Sequence, residues 1–442
     1  MRTFRIGGIH PQANKLSAGR PIQVIPPPET VVIPLGQHIG APATAIAGRG
    51  DKVKVGTLIG KAEGFVSANV HSSVSGTVTK IDSMIDGAGI ARPAVFIHTE
   101  GDEWEPAIDR SETVIRECNL SSVEIIQKIE DAGIVGMGGA AFPTKVKLSP
   151  PSGNKADVLL VNAAECEPYL TSDHSLMIDR GEQIMMGTTI LMKAMNVTRA
   201  IIGIESNKPD AIALMTKHAA AYKGIEIMPL KMKYPQGSEK QLIEAVLRRE
   251  VKSGTFPISV GTNVHNAGTV YAVYEAVQKN KPLIDRVITV TGKSVAKPSN
   301  FLVRIGTPVS VLIDAAGGFP ENTGKIIGGG PMMGKAMINT DSPVTKGSSG
   351  FLLMTKEESL RRPMRDCIRC AKCTKACPMG NEPYLLMYLS EHKLWDDAEK
   401  NHILDCIECG SCTWSCPASR PILDHVRLGK STVTGIVRSR KS

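Results

Sequence analysis

Eight of the chain's ten cysteines stand in two phrases, "CIRCAKCTKACP" at 367–378 and "CIECGSCTWSCP" at 406–417. Each phrase reads C-x2-C-x2-C-x3-C-P. Thiolates packed this densely can bind metal or pair as disulfides. A disulfide framework would spread its cysteines over a small secreted domain. This chain has 442 residues, and its opening "MRTFRIGGIHPQANK" lacks the apolar stretch of an export signal. A zinc site takes four ligands, usually as two separated CxxC pairs. Three cysteines at x2 spacing instead wrap one corner of a [4Fe–4S] cube, and the fourth ligates a second cube. The spacing therefore predicts one cluster on Cys367, Cys370, Cys373 and Cys416, and another on Cys377, Cys406, Cys409 and Cys412.

These two clusters need a scaffold that brings the phrases together. The intervening "NEPYLLMYLSEHKLWDDAEKN" places Tyr384, Leu385, Tyr388, Leu389 and His392 at i, i+3 and i+4 spacing, which predicts a helix. Residues 351–442 are thus expected to form a helical two-cluster ferredoxin domain, of the kind found in iron–sulfur subunits of respiratory enzymes. His392, His402 and His425 read as surface or cap residues rather than ligands. The basic tail "VRLGKSTVTGIVRSRKS" is either solvated or docks on an acidic partner or anionic lipid.

A second chemical feature is the loop "GIVGMGGAAFPTKVKL". Gly136, Gly138 and Gly139 remove Cβ atoms where backbone N–H groups can approach an anion. Taken alone, the loop reads equally as a plain turn. It does not follow a strand, so it is not a Rossmann fingerprint. Lys145 and Lys147 follow and can balance a phosphate. "DVLLVN" reads as a buried parallel strand that runs into "AAECEP", setting Glu165 and Glu167 at the sheet edge where ligands of open α/β sheets bind.

The elements around this loop alternate. Residues 106–282 contain helices at "SSVEIIQKIEDAG", "QIMMGTTILMKAM", "KPDAIALMTKHAAAY" and "SEKQLIEAVLRRE", with strands at "DVLLVN", "RAIIGIE" and "IEIMPLK". That pattern predicts a Rossmann-like α/β domain with a mostly parallel sheet. Ser121 with Glu124 forms a capping box, Val123, Ile126 and Ile129 an apolar face, and Gly133 a stop. Methionines 185, 186, 192 and 195 read as helix core. Cys118 and Cys166 read as buried free thiols, Cys166 standing near the glycine-loop site. The net charge of +9 raises nucleic acid as a partner, but the cations are scattered and aromatics make up only 4% of residues, so no aromatic-studded basic stripe exists. No run of 18 apolar residues is present, so no transmembrane helix is expected.

Four motifs carry a resemblance to a known family. "GMGGAAFPTKVK", "NAAECEP", "YPQGSEKQL" and "GTNVHNAGTVYAV" resemble, in the same order, motifs of the NADH-binding flavoprotein of respiratory complex I. The resemblance implies FMN with NADH above it. It places Gly136, Gly138, Gly139 and Lys147 on the FMN phosphate side. Asn162 and Asn266 would bond the flavin or its ribityl chain, with Tyr234 nearby. Phe142, Glu165, Glu167 and Glu239 would face NADH. Met137, Ala164, Ser238 and His265 depart from the family's residues. Residues 283–350 resemble the soluble ligand-binding β-grasp module that follows the flavin domain in that family. Within it, "KIIGGGPMMG" is either a second phosphate loop or a turn pair packing on the flavin domain.

Residues 1–105 resemble the biotinyl and lipoyl carrier fold, a barrel-sandwich hybrid, through "GDKVKVGTLIG" and "SGTV". The carrier's hairpin-tip lysine is missing from "GFVSANVH", so the resemblance implies the fold and not the swinging-arm chemistry. The order of the four parts, "GGIHP" and "IPLGQHIGAPA" resemble the RnfC family of Rnf electron-transport complexes over nearly the whole chain. That resemblance implies a multidomain α/β plus β plus α protein. It implies a peripheral member of an ion-translocating ferredoxin:NAD+ oxidoreductase on the cytoplasmic face of the bacterial inner membrane. Its cofactors would be FMN and two [4Fe–4S] clusters, with NAD(H) as substrate. Its partners would be the other subunits, an iron–sulfur subunit above all. Two alternatives stand beside it: a microcompartment-type NADH-dependent cobalamin reductase, and a non-catalytic wiring subunit that keeps the clusters without nucleotide binding.

Overall fold

In the computed structural model, which describes residues 1–151 and 153–440, the α/β section is built on four parallel strands. Their order is Ile225–Leu230, Ala200–Glu205, Val158–Ala163, Thr262–Asn266. Strand Val158–Ala163 is buried at five of six positions and Ala200–Glu205 at all six, as expected of strands covered on both faces. The chain adds the first three strands in one direction and the fourth on the other side of Val158–Ala163. That reversal makes a topological switch point at the carboxyl ends of Val158–Ala163 and Thr262–Asn266, where open sheets leave a crevice for a ligand.

The helices on this sheet follow the sequence signals, with one shift of face. Helix Ser122–Asp131 begins at the predicted capping box: Ser121 Oγ accepts from the Glu124 amide at 3.3 Å, and the Glu124 carboxylate accepts from the Ser121 amide at 2.7 Å. Gly133 follows its C-cap with φ +62. The buried face is Ile125 and Ile129, whereas Val123 is 75% exposed, because the first turn overhangs solvent. Helix Gly181–Met195 buries Met185, Met186 and Met192 as core, and Met195 packs against that core.

The sandwich pairs Thr30–Pro34, Ala91–Thr99, Gly76–Ile85 and Lys52–Val53 in one antiparallel sheet, alongside a small sheet of Thr44–Ala45, Leu58–Lys61 and Val70–His71. The first residues of the chain lie elsewhere. Arg2 bridges to Leu230 and Ile9 to Tyr234 along the edge of the α/β sheet. Ile22–Val24 then pairs in parallel with Ser299–Arg304 of the β-grasp module. That module's six-stranded sheet also takes in Gly350–Thr355, beyond the point where the glycine-rich segment ends. A buried network of Ser17, Thr171, Thr289 and Asn300 joins the N-terminal arm, the α/β section and the β-grasp sheet.

The C-terminal section is helical. Helix Pro383–Glu391 packs on helix Ile422–Ser439 through Leu386, Met387 and Leu389. The helix expected here is present, and its tyrosines point outward: Tyr384 and Tyr388 are exposed, with the Tyr384 hydroxyl on Glu382 at 2.9 Å and Tyr388 stacked on His392 at 4.1 Å. Their hydroxyls satisfy this placement at no desolvation cost. The basic end of the last helix is not free: Arg440 pairs with Asp396 and Glu399.

Candidate functional site

Asn162 and Asn266 end the two strands that flank the switch point, and they are directly opposite each other in the parallel register. Asn266 caps helix Ala267–Lys279: its Oδ1 accepts from the Gly268 amide at 2.9 Å, and its Nδ2 donates to Asp173 at 2.6 Å. Asn162 Nδ2 donates to the Gly237 carbonyl at 2.7 Å, tying the strand end to the loop before helix Glu239–Leu247.

The glycine loop closes over this crevice as a tight turn. The Gly136 amide donates to the Phe142 carbonyl at 2.8 Å, and Val135 bridges to Pro143. Gly138 lies against Asn266: a Cβ there would meet the asparagine side chain at 2.9 Å. Gly139 faces open space, with nothing within 4 Å of such an atom. Two polar atoms in this region are buried without a hydrogen-bond partner, His265 Nε2 and Thr144 Oγ1. Burial, reinforced by the nearby Lys147 ammonium, holds the His265 imidazole neutral with its pKa lowered to about 3. Buried polar groups without a protein partner call for a bound one. An open glycine, a capped helix start and a lysine at the edge fit a phosphorylated flavin there.

The remaining site residues divide. Lys147 Nζ donates to Glu239 at 2.7 Å and to the Val264 carbonyl at 2.9 Å, so two residues expected on opposite sides of the cofactors are paired with each other. Lys145 pairs with Glu130 and leaves the loop. Three of the expected residues are engaged by protein partners. Glu165, with φ +48, turns back and accepts from the Asp173 amide at 2.8 Å and the His174 amide at 3.3 Å, capping helix Ser172–Asp179. Glu167 is caught by the β-grasp turn "GGGPMMG", whose Met332 and Met333 amides donate to it at 3.2 and 2.7 Å. Burial pushes the Glu167 pKa up to about 7, against the pull of those amides. Tyr234 is buried, and its hydroxyl donates to the Cys409 carbonyl at 2.8 Å, with Glu167 Oε1 at 3.4 Å. Of the two readings of "GGGPMMG", the packing turn is the one observed, because its amides are spent on Glu167.

Sequence reasoning missed the group that holds this loop. Lys15 lies about 150 residues away with no motif around it. Its buried Nζ donates to the carbonyls of Glu165, Glu167 and Leu170 at 2.9, 2.9 and 2.6 Å. Lys208 does the same for Ala164 at 2.7 Å. Burial lowers the Lys15 pKa, opposed by the charge of Glu165. Lys346 is likewise buried, with its Nζ on the carbonyls of Asn69 and Gly133.

The two cysteine phrases fold alike. Arg369 and Ala371 in the first, and Glu408 and Gly410 in the second, occupy the same positions relative to their cysteines, and all have φ between +54 and +76. Short helices Lys372–Ala376 and Ser411–Trp414 follow in register. Left-handed residues at these positions gather successive amides into an anion-binding concavity. Cys377 lines one cavity with Cys406, Cys409 and Cys412, as the crossed spacing predicts. The sulfurs surround a space rather than a point: among the described residues no three such side chains converge on a single ion. Burial, with neighbouring thiols adding to it, pushes Cys406 up to about 11 and Cys412 up to about 12. These thiols become ligands only against a compensating cationic centre. The other set is outward: Cys367 and Cys370 are exposed, Cys373 and Cys416 half-buried. The Arg365 amide donates to the Ala418 carbonyl at 2.9 Å, bringing the segment that carries Cys367 beside the turn after Cys416.

The inner cysteines abut the α/β section directly. Ile9, Cys166, Tyr234, Met332, Ala376, Ile407 and Cys409 form one apolar cluster across the boundary. Gln241 Nε2 donates to the Pro378 carbonyl at 3.1 Å, and the Gly8 amide to the Ala376 carbonyl at 3.0 Å. Cys166 therefore faces the cysteine loops, and burial raises its thiol pKa above the ordinary range.

A flavin-type crevice joined through a buried contact to two four-cysteine sites defines an electron-transfer protein. Family models match the chain along its length: the RnfC barrel sandwich hybrid domain at 3–102, the Nuo51 FMN-binding domain at 129–275, the SLBB domain at 287–336 and a 4Fe-4S dicluster domain at 366–420. The C-subunit of the proton-translocating ferredoxin:NAD(+) oxidoreductase complex of Clostridium ljungdahlii is 47% identical over 98% of this chain and 94% of its own. The Na(+)-translocating counterpart of Acetobacterium woodii is 42% identical over 99% and 98%. The chain belongs to this family, the RnfC-type members of ion-translocating ferredoxin:NAD(+) oxidoreductase complexes. In fold, 71% of it is similar to 62% of a chain of an NAD+-reducing [NiFe]-hydrogenase, with a TM-score of 0.50 and 19% identity.

Proposed function

We propose that the chain is the electron-transfer subunit of an ion-translocating ferredoxin:NAD+ oxidoreductase, carrying FMN at the switch-point crevice and [4Fe–4S] clusters on its two crossed cysteine sets. The observation that carries this reading is the arrangement of Asn162 opposite Asn266, beneath Gly138 and the open Gly139, in the domain whose Tyr234 bonds the Cys409 carbonyl. A bound flavin exchanges a hydride pair with NAD(H) and single electrons with clusters, which is why it belongs between them.

The chain's own residues do the positioning. Gly136, Gly138 and Gly139 leave room for the phosphate, with Lys147 and the neutral His265 beside it. Asn162 and Asn266 set the crevice width. Phe142 is the residue left to meet NADH, since Glu239 is paired at 2.7 Å with Lys147 on the phosphate side. Glu165 and Glu167 shape the floor: one fixes the helix start, the other locks the β-grasp turn. Tyr234, Cys166 and Ile9 pack with Cys409 in one apolar cluster, which excludes water and lowers the dielectric beside the inner cysteines.

No helix among the described residues is long and apolar enough to cross a membrane. Membership of a family that works in membrane complexes supports a peripheral position. We read that position as the cytoplasmic face, where NADH is available, against the other subunits and an iron–sulfur one in particular. The use of Glu165 and Glu167 as scaffold is what favours the wiring-subunit reading, and the two separate on whether NADH reduces a flavin bound to the chain. Tagged chain should co-purify with membrane subunits, and those membranes should reduce ferredoxin or NAD+ only when it is present. Retained activity in membranes lacking the chain would defeat the proposal.

A further inference from the structure

Outside the crevice, charge is distributed unevenly over the helical section. Cations near the inner cysteines are neutralised: Arg427 and Lys430 pair with Glu408. The segment leading into the outer cysteines is different. Between 361 and 375 it carries six cations, Arg361, Arg362, Arg365, Arg369, Lys372 and Lys375, and a single acid, Asp366. All seven are exposed, and residues 361–371 have no regular secondary structure. Arg361 pairs with Asp424; among the described residues the other five cations have no ion-pair partner.

Apolar surface lies among these charges. Leu360 is 76% exposed, Met364 57% and Ile368 68%, with Tyr384 beside Cys367 and Cys373. Exposed apolar side chains within a ring of one sign of charge have the anatomy of a protein–protein interface. They surround Cys367 and Cys370, the most exposed of the eight cysteines in the two phrases.

We propose that this strap, residues 360–372 with Tyr384, is the docking face for an acidic one-electron carrier protein, which meets the outer cysteine set there. The inference rests on the reading of Cys367, Cys370, Cys373 and Cys416 as cluster ligands. The strap's four unpaired cations, Arg362, Arg365, Arg369 and Lys372, desolvated against a neutral or basic face would cost free energy without return, whereas an acidic face neutralises them and steers the encounter. Met364 and Ile368 supply the apolar contact that the ring of charge keeps in register. The inner set abuts the α/β section, with Cys377 and Cys409 buried.

The test uses the full chain with both clusters loaded, and an oxidised acidic [2Fe–2S] ferredoxin as the probe. Affinity is measured by calorimetry at low and moderate salt. For the unmodified chain, Kd should rise about tenfold or more with salt, as screening over a Debye length requires. Arg362→Glu with Arg365→Glu should weaken low-salt binding at least about tenfold and flatten the salt dependence. The lysine counterparts at both positions should restore most of it. Lys217→Glu with Lys223→Glu makes the same change in net charge on the exposed surface of the α/β section and should leave Kd unaltered. Equal weakening by that second pair, or unchanged Kd in the strap variant with both cluster signals present by EPR, overturns the proposal. So does a strap variant that loses binding to anionic phosphatidylglycerol vesicles while keeping its ferredoxin affinity, since the face then belongs to lipid. An iron content of about four rather than eight would remove the outer cluster and with it the premise.

Discussion

Gly139→Ala separates a ligand cradle from an ordinary turn, because the structure makes the two readings give opposite results. A Cβ at Gly139 meets nothing within 4 Å, and its φ lies outside the left-handed region. An added methyl is therefore free of strain, and reducing the freedom of the unfolded chain should leave stability unchanged or raise it by about 0.4–1 kcal/mol. If the space is where a flavin phosphate approaches backbone amides, the methyl displaces it. Losing one charge-assisted hydrogen bond costs about 1.5–3 kcal/mol, a roughly tenfold to 150-fold rise in Kd. Gly138→Ala should act on both quantities, since its Cβ would press on Asn266 at 2.9 Å and disturb the cap of helix Ala267–Lys279. The assay is quenching of FMN fluorescence on titration with flavin-free protein, paired with a denaturant melt. A Gly139→Ala chain that melts as the parent and binds FMN within about twofold of it would refute the cradle.

Other consequences can be checked separately. Cys377→Ser should abolish the EPR signal of the inner cluster while the outer one survives; loss confined to the outer signal would mean the ligation is not crossed. Tyr234→Phe removes the bond to the Cys409 carbonyl and should cost about 1–3 kcal/mol of stability through that unsatisfied buried acceptor. FMN affinity should be unchanged in that variant, as calorimetry would report. Lys346 gives a pH signature. Burial lowers its pKa from 10.5 to about 7, so between those values the unfolded chain holds a proton that the folded chain has released. Its contribution to stability should therefore rise with pH from about 7 to 10, and Lys346→Met should remove that slope in urea melts across the range.

The parts of this protein that were legible in its sequence are those with short-range causes. The cysteine phrases fix their own backbone, even to matched left-handed residues at 369 and 408. The capping box at Ser121 and the alternating strands and helices follow from neighbours within a few residues. Contacts made across the chain were not legible. Nothing near Lys15 signals that its ammonium gathers three carbonyls of a loop 150 residues on. Nothing near Lys346 signals that it joins Asn69 to Gly133. For Glu165 and Glu167 the strand-end position was readable, but their orientation depended on a helix start and a β-grasp turn that no local pattern specifies. The exposed tyrosines of helix Pro383–Glu391 show the same limit: periodicity gives a face, and packing against Ile422–Ser439 selects which one is buried.

In the function proposed for it, the chain takes electrons from NADH at the switch-point crevice and passes them to the inner and then the outer cysteine set. Protein reconstituted anaerobically with FMN, iron and sulfide should lose its flavin absorbance band on adding NADH, and cluster EPR signals should then develop. Clusters that dithionite reduces while NADH leaves both flavin and clusters oxidised would contradict the account and assign the chain to the non-catalytic wiring role.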